Sequence, residues 1–224
     1  MSNDSEKIIS TYSLNFLSPD DVRKEELKAS QGDSDAAFKL YKYYLFCEPK
    51  SYRKQHEWLI ISANNGNAIA QYNLSRELES EGKVDESIQW LKKSAEHGNN
   101  YAQYQMSKYL LKIGDIRGSE YYLNLSADNG CVFAIKDIIK NMMDSGKYDD
   151  ALIWVEKLKK LYPDTNTELY IQKITQKKKA IQIIIIYNYS HRVTVLQEIY
   201  LAYKVAASKD KVLCNPSSHI GVKT

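Results

Sequence analysis

Few residues in this chain are placed to do covalent or metal chemistry. His56, His97, His191 and His219 stand singly, with no HExxH pair and no Cys/His cluster at metal-ligand spacing. Cys47, Cys131 and Cys214 are an odd number without a CxxC, as expected of thiols kept reduced. No glycine-rich phosphate loop and no nucleophile beside a base is recognisable. The sequence therefore argues against an enzyme and calls for no cofactor and no metal.

What recurs is charge and aromaticity at a fixed interval. Phe38, Tyr72, Tyr104 and Lys136 form one row, and Lys42, Arg76, Lys108 and Lys140 each follow four residues later. Each pair stands two and six residues beyond a small residue, Ala36, Ala70, Ala102 or Ala134. Four cations in equivalent positions would attract an acidic segment or a chain-terminal carboxylate, with the aromatic rings as anchors. Lysine is also common on any solvated helix face, and the same row reads equally as plain surface.

The elements that would position these rows come from a repeat. The segments 58–66, 90–98 and 122–130, led by Trp58, Trp90 and Tyr122, share one template and lie 32 residues apart. Each ends in Ser-Ala-x-x-Gly, through Ala63, Ala95 and Ala127 to Gly66, Gly98 and Gly130. Four residues after each Gly comes Ala70, Ala102 or Ala134, and four later again Leu74, Met106 or Ile138. An earlier copy, Ala29-Gly32-Ala36-Leu40, is offset by 34 because the loop around residues 47–51 is longer. A later copy keeps Trp154 and Val155 but has Lys159 and Tyr162 where Ala and Gly are expected, so the array degenerates there.

Within each unit the apolar positions recur at helical spacing, as in Ile88, Leu91 and Ala95, and short polar turns such as Glu81-Gly82-Lys83 interrupt them. Only 9 Gly and 4 Pro punctuate 224 residues, too few for a many-stranded β protein. Each unit reads as two antiparallel helices, with the alanines at close approaches and the tryptophans in the wider gaps.

The stretches Ala70-Gln71-Tyr72-Asn73-Leu74, Ala102-Gln103-Tyr104 and Trp90 to Asn99 resemble the Sel-one-like repeats, relatives of the tetratricopeptide repeats, over about residues 24–161. The resemblance implies an all-α fold, an α/α superhelical solenoid of about four to five helix-hairpin repeats with a degenerate C-terminal cap. It also implies that the first helix of each pair lines a concave groove, which would receive both rows. Members of this family are scaffolds for signalling or assembly partners, and similar small ones inhibit toxins. Here the loop between paired helices is compressed, as at Glu81 to Val84 and Ile113 to Asp115.

At the N-terminal side, residues 1–17 read as a lead-in. Ser18-Pro19-Asp20-Asp21 reads as the capped start of a helix running to about Ser30, the second half of an incomplete first unit. The repeat array spans 18–161 and is followed by a basic cap and tail over 162–224. Residues 171–224 carry a charge of +7 against −4 for the rest. The Ile181 to Tyr187 run fits a strand or a buried helix, Val193 to Ala207 has helical spacing, and Ser208 to Thr224 reads as disordered.

Asp4 and Glu6 stand where an export signal would be basic, and no apolar run approaches the roughly 20 residues of a membrane helix. A cytoplasmic protein that does not engage the membrane is expected. Lys173 to Lys179 and Arg192, near Tyr187 and Tyr189, offer only a weak nucleic-acid signal without a recognised module. The reading is a non-catalytic adaptor or scaffold that binds a protein, through an acidic segment, in its groove. The alternative is an immunity protein or stoichiometric inhibitor that blocks a toxin or enzyme by direct binding.

Overall fold

A computed structural model describes residues 14–48 and 50–213, without the side chains of 202, 203 and 205–213. Ten helices of eight or more residues follow one another, and no strand occurs among the described residues. They are α1 (Pro19–Ser30), α2 (Ser34–Phe46), α3 (Tyr52–Asn64), α4 (Ala68–Ser80), α5 (Val84–Glu96), α6 (Asn100–Lys112), α7 (Ile116–Asp128), α8 (Val132–Asp144), α9 (Tyr148–Leu161) and α10 (Glu168–Leu213). The chain divides into two units, 1–165 and 166–224.

The first unit is an α/α solenoid. Its hairpins are α2/α3, α4/α5, α6/α7 and α8/α9, whose members pack on each other more extensively than on the flanking hairpins, and α1 packs on α2 as an unpaired leading helix. From α4 to α8 each helix has 13 residues and each turn three, so the 32-residue period is twice a 16-residue half-repeat. This regularity has a backbone cause. Gly98 ends α5 at φ +90° and Gly82 ends α4 at φ +79°, left-handed conformations strained for a residue with a Cβ. The α5 terminus is closed by Gly98 N–H to the Ala95 carbonyl (3.1 Å) and Asn99 N–H to the Ser94 carbonyl (3.1 Å).

The helix starts are specified as well. Ser18 caps α1 in a capping box with Asp21 and Pro19 at the first position. Asp33, Asn67 and Asn99 accept from backbone N–H groups at the starts of α2, α4 and α6, whereas Cys131 holds the same position before α8 without capping it.

The core follows the repeat. Ala36, Ala70, Ala102 and Ala134 are buried, as are Ala29, Ala63, Ala95 and Ala127. Trp58 lies between the clusters around Leu40 and Leu74, Trp90 packs on the second of these, and Tyr122 packs on the Ala95–Ala102–Met106 cluster. At the degenerate end α9 lacks its terminal glycine: Tyr162 caps it at φ −136°. The Tyr162 hydroxyl donates to the Gly130 carbonyl at 2.5 Å.

In the second unit α10 carries the chain from Glu168 through the Ile181 to Tyr187 run, which is therefore helical, and through 193–207. The expectation of irregular chain from Ser208 is corrected: α10 continues to Leu213, since no glycine or proline interrupts it there. Most of the expected lead-in, residues 1–13, and the final 214–224 lie outside the described residues. No described helix is long and apolar enough to cross a membrane.

Candidate functional site

The first helices α2, α4, α6 and α8 set the candidate rows by one burial pattern. Counting from the buried alanine, the residues at +1, +4 and +5 are also buried: Ala37, Leu40 and Tyr41 in α2, Gln71, Leu74 and Ser75 in α4, Gln103, Met106 and Ser107 in α6, Ile135, Ile138 and Ile139 in α8. The helical period then turns +2 and +6 away from the core. Phe38, Tyr72, Tyr104 and Lys136 at +2 are half-buried; at +6 Lys42 is half-buried and Arg76, Lys108 and Lys140 are exposed.

The nearer row lies at the seams between hairpins. Phe38 stacks on Tyr41 of its own helix at 5.5 Å between ring centroids and packs against the cluster that Tyr41, Leu59 and Ala63 share with Ala70 and Leu74 of the next hairpin, and Tyr72 packs against that of Ala95, Ala102 and Met106. Tyr104 stacks on Phe133 at 5.9 Å between ring centroids. These rings therefore help space successive first helices, while their half-exposed edges remain open to a partner.

The farther row is not uniformly available. Arg76 is paired with Glu79 one turn on in the same helix. Lys108 binds Asp137 of α8 at 2.6 Å, and the Tyr104 hydroxyl donates to the same carboxylate oxygen at 2.9 Å. The Asp137 hydrogen bond raises the Lys108 pKa, and burial together with Asp137 raises that of Tyr104, so both protons are held at neutral pH. The Lys42 ammonium sits 5.5 Å from the Phe38 ring centroid. Lys136 and Lys140 make no ion pair among the described residues.

Arg76 and Lys108 meet at a cleft of about 520 Å³ between α4, α5 and α6, floored by Val84, Ile88, Leu91 and Ile113 and edged further by Lys112. Lys42, Lys136 and Lys140 do not line it.

Sequence reasoning did not single out two sets of buried polar residues beneath the rows. The Gln71 amide donates to the Ala63 carbonyl of the preceding hairpin (2.9 Å) and its oxygen faces His97 Nδ1 (2.8 Å). Gln103 repeats this with the Ala95 carbonyl (3.1 Å) and Asn129 (2.9 Å). Because the Gln71 amide nitrogen is committed to Ala63, its oxygen must accept, which assigns the proton to His97 Nδ1. Ser62, Ser94 and Ser126 donate to the carbonyls of Ser34, Ala68 and Asn100, pinning the end of each second helix to the start of its partner. Both sets were signalled in the sequence, by Gln after Ala70 and Ala102 and by Ser before Ala63, Ala95 and Ala127. His97 is thus a helix-end residue, as its place before Gly98 predicts. Among the described residues no group of three or more His, Cys, Asp or Glu could hold a metal ion.

Comparison with known proteins assigns no role. No family model matches the chain. YibG of Escherichia coli strain K12, an uncharacterised protein, is 44% identical over 57 residues, 25% of this chain; the match spans 37% of that relative's length. The crystal structure of a Sel1 repeat protein from Oxalobacter formigenes superposes with a TM-score of 0.47 at 24% identity, covering 52% of this chain and 96% of that one. The stacked hairpins, their 32-residue period and the alanine–glycine register are those of an α/α helical repeat.

Proposed function

We propose that this chain is a non-catalytic protein-interaction module, an adaptor or scaffold acting in the cytoplasm, and that it holds its partner along the first helices of the solenoid. The contacts proposed are Phe38, Lys42, Tyr72, Arg76, Tyr104, Lys108, Lys136 and Lys140. The observation that carries this reading is the shared phase of the first helices of four successive hairpins: the same two positions stay accessible in each, while the +4 and +5 positions between them are buried. A surface repeated in register offers an extended partner several equivalent anchors at once.

The charge on this face favours an acidic segment, and the pairing pattern says where it would engage first. Lys136 and Lys140 need no ion-pair partner displaced and Lys42 leaves only the face of the Phe38 ring, whereas Arg76 and Lys108 must exchange Glu79 and Asp137 for the ligand. Residues 162–224 complete this proposal as a basic cap and tail beyond the repeats.

Site-specific photocrosslinking tests the face. A photoreactive residue at Tyr72 or Lys140 should trap the same partner, and one at exposed Glu120 on the second helix α7 should not. Equal trapping from Glu120 would place the partner elsewhere.

A further inference from the structure

The second unit carries a surface that the interaction reading of the repeats does not use. Along α10 a stripe of apolar side chains recurs at alternating three- and four-residue spacing: Ile186, Tyr189, Val193, Leu196 and Tyr200. That spacing keeps one seam along a helix and is the pattern by which helices pair. All five are exposed, Ile186 at 67%, Tyr189 at 73% and Leu196 at 65%. Ile185 and Ile199 flank the seam on one side and are exposed as well. The Tyr187–His191 stack lies off it, with ring centroids 6.4 Å apart.

We infer that this seam is the contact surface for a second copy of the chain, joined helix to helix through α10. Three observations select that occupant. The five seam positions carry no charged residue, and the Lys204 ammonium that sits over the Tyr200 ring at 5.2 Å lies at one end of the seam, so an antiparallel pairing of two identical copies sets no like charges opposite each other along it. Five such side chains from each of two helices would remove roughly 1,000 Å² from water, which reaches the lower range of specific interfaces. Arg192 and Glu198 interrupt the same stretch, and no described helix is long and apolar enough to cross a membrane, which disfavours burial of α10 in a bilayer core. An exposed apolar stripe of this length is uncommon on a chain that stays monomeric.

The test is sedimentation velocity on the full chain across micromolar concentrations, with circular dichroism to verify that each variant keeps its helix content. The wild type should sediment at twice the 25.8 kDa chain mass. Leu196→Glu and, separately, Tyr200→Gln should weaken self-association by at least about tenfold. Leu201→Glu, one position beyond the seam on an equally exposed residue, should leave it unchanged. A monomeric wild type overturns the inference, and so does a monomer that instead floats with phosphatidylcholine–phosphatidylglycerol vesicles. A dimer indifferent to Leu196→Glu and Tyr200→Gln, or one equally sensitive to Leu201→Glu, overturns it too.

Discussion

His97 and Gln71, 26 residues apart, share a hydrogen bond of 2.8 Å that closes a chain from the end of α5 through α4 to the Ala63 carbonyl of the preceding hairpin. The same chain recurs one repeat on through Asn129 and Gln103. Buried amides of this kind tie one hairpin to the next with directional bonds, while the apolar contacts around them supply most of the driving force.

Gln103→Ala should therefore destabilise the fold by about 1 to 3 kcal/mol, because it takes the acceptor from the Asn129 amide, leaves the Ala95 carbonyl with the Gly98 N–H bond but without the bond across the seam, and opens a void. Urea denaturation followed by circular dichroism measures this. His97→Ala removes a partner from the exposed end of the same chain and should cost less, about 1 kcal/mol.

Ala95 is buried at the joint between the second helix of one hairpin and the first helix of the next. Ala95→Leu should overpack that joint and cost about 1 to 3 kcal/mol, read as a lower denaturation midpoint. A neutral effect would mean that the helices do not approach there.

Gly98→Ala isolates a backbone effect, since a Cβ there meets nothing within 4 Å while φ stands at +90°. The expected loss is about 1 kcal/mol, with no change in helix content by circular dichroism.

Acid should weaken the packing of α1 on the first hairpin through Glu25, a buried carboxylate bonded to Lys39 at 3.1 Å and Lys28 at 3.2 Å. Burial alone would raise its pKa, but the hydrogen bonds from Lys39 and Lys28 outweigh it and hold the value below the ordinary 4.5. A depressed folded pKa means that the unfolded chain takes up the proton first. The stabilisation is then complete above the unfolded value and is lost as pH falls through the folded one. Glu25→Gln should cost about 1 kcal/mol at pH 7, and its gap to the wild type should close below the ordinary carboxylate range.

Much of this fold is legible in the residues. Gly66, Gly98 and Gly130 with their alanines announce the hairpins, and Ser18-Pro19 announces the start of α1, because local backbone needs leave local signatures. The Ile181 to Tyr187 run did not declare itself, since a short apolar stretch fits a strand or a helix alike. The candidate site was legible in position but not in state. The equal spacing of Lys42, Arg76, Lys108 and Lys140 gave the row, yet Asp137, which neutralises Lys108, stands 29 residues away and is brought there only by stacking. Gln71 and Gln103 lay in plain view beside their alanines, but their burial depends on the neighbouring hairpin.

The central claim is that the first-helix face binds the partner, and titration calorimetry with the crosslinked partner, once purified, tests it most directly. Lys136→Glu combined with Lys140→Glu should weaken binding at least about tenfold and flatten its salt dependence, while Lys160→Glu, exposed on the second helix α9, should leave both unchanged. Wild-type affinity in the double variant would contradict the account.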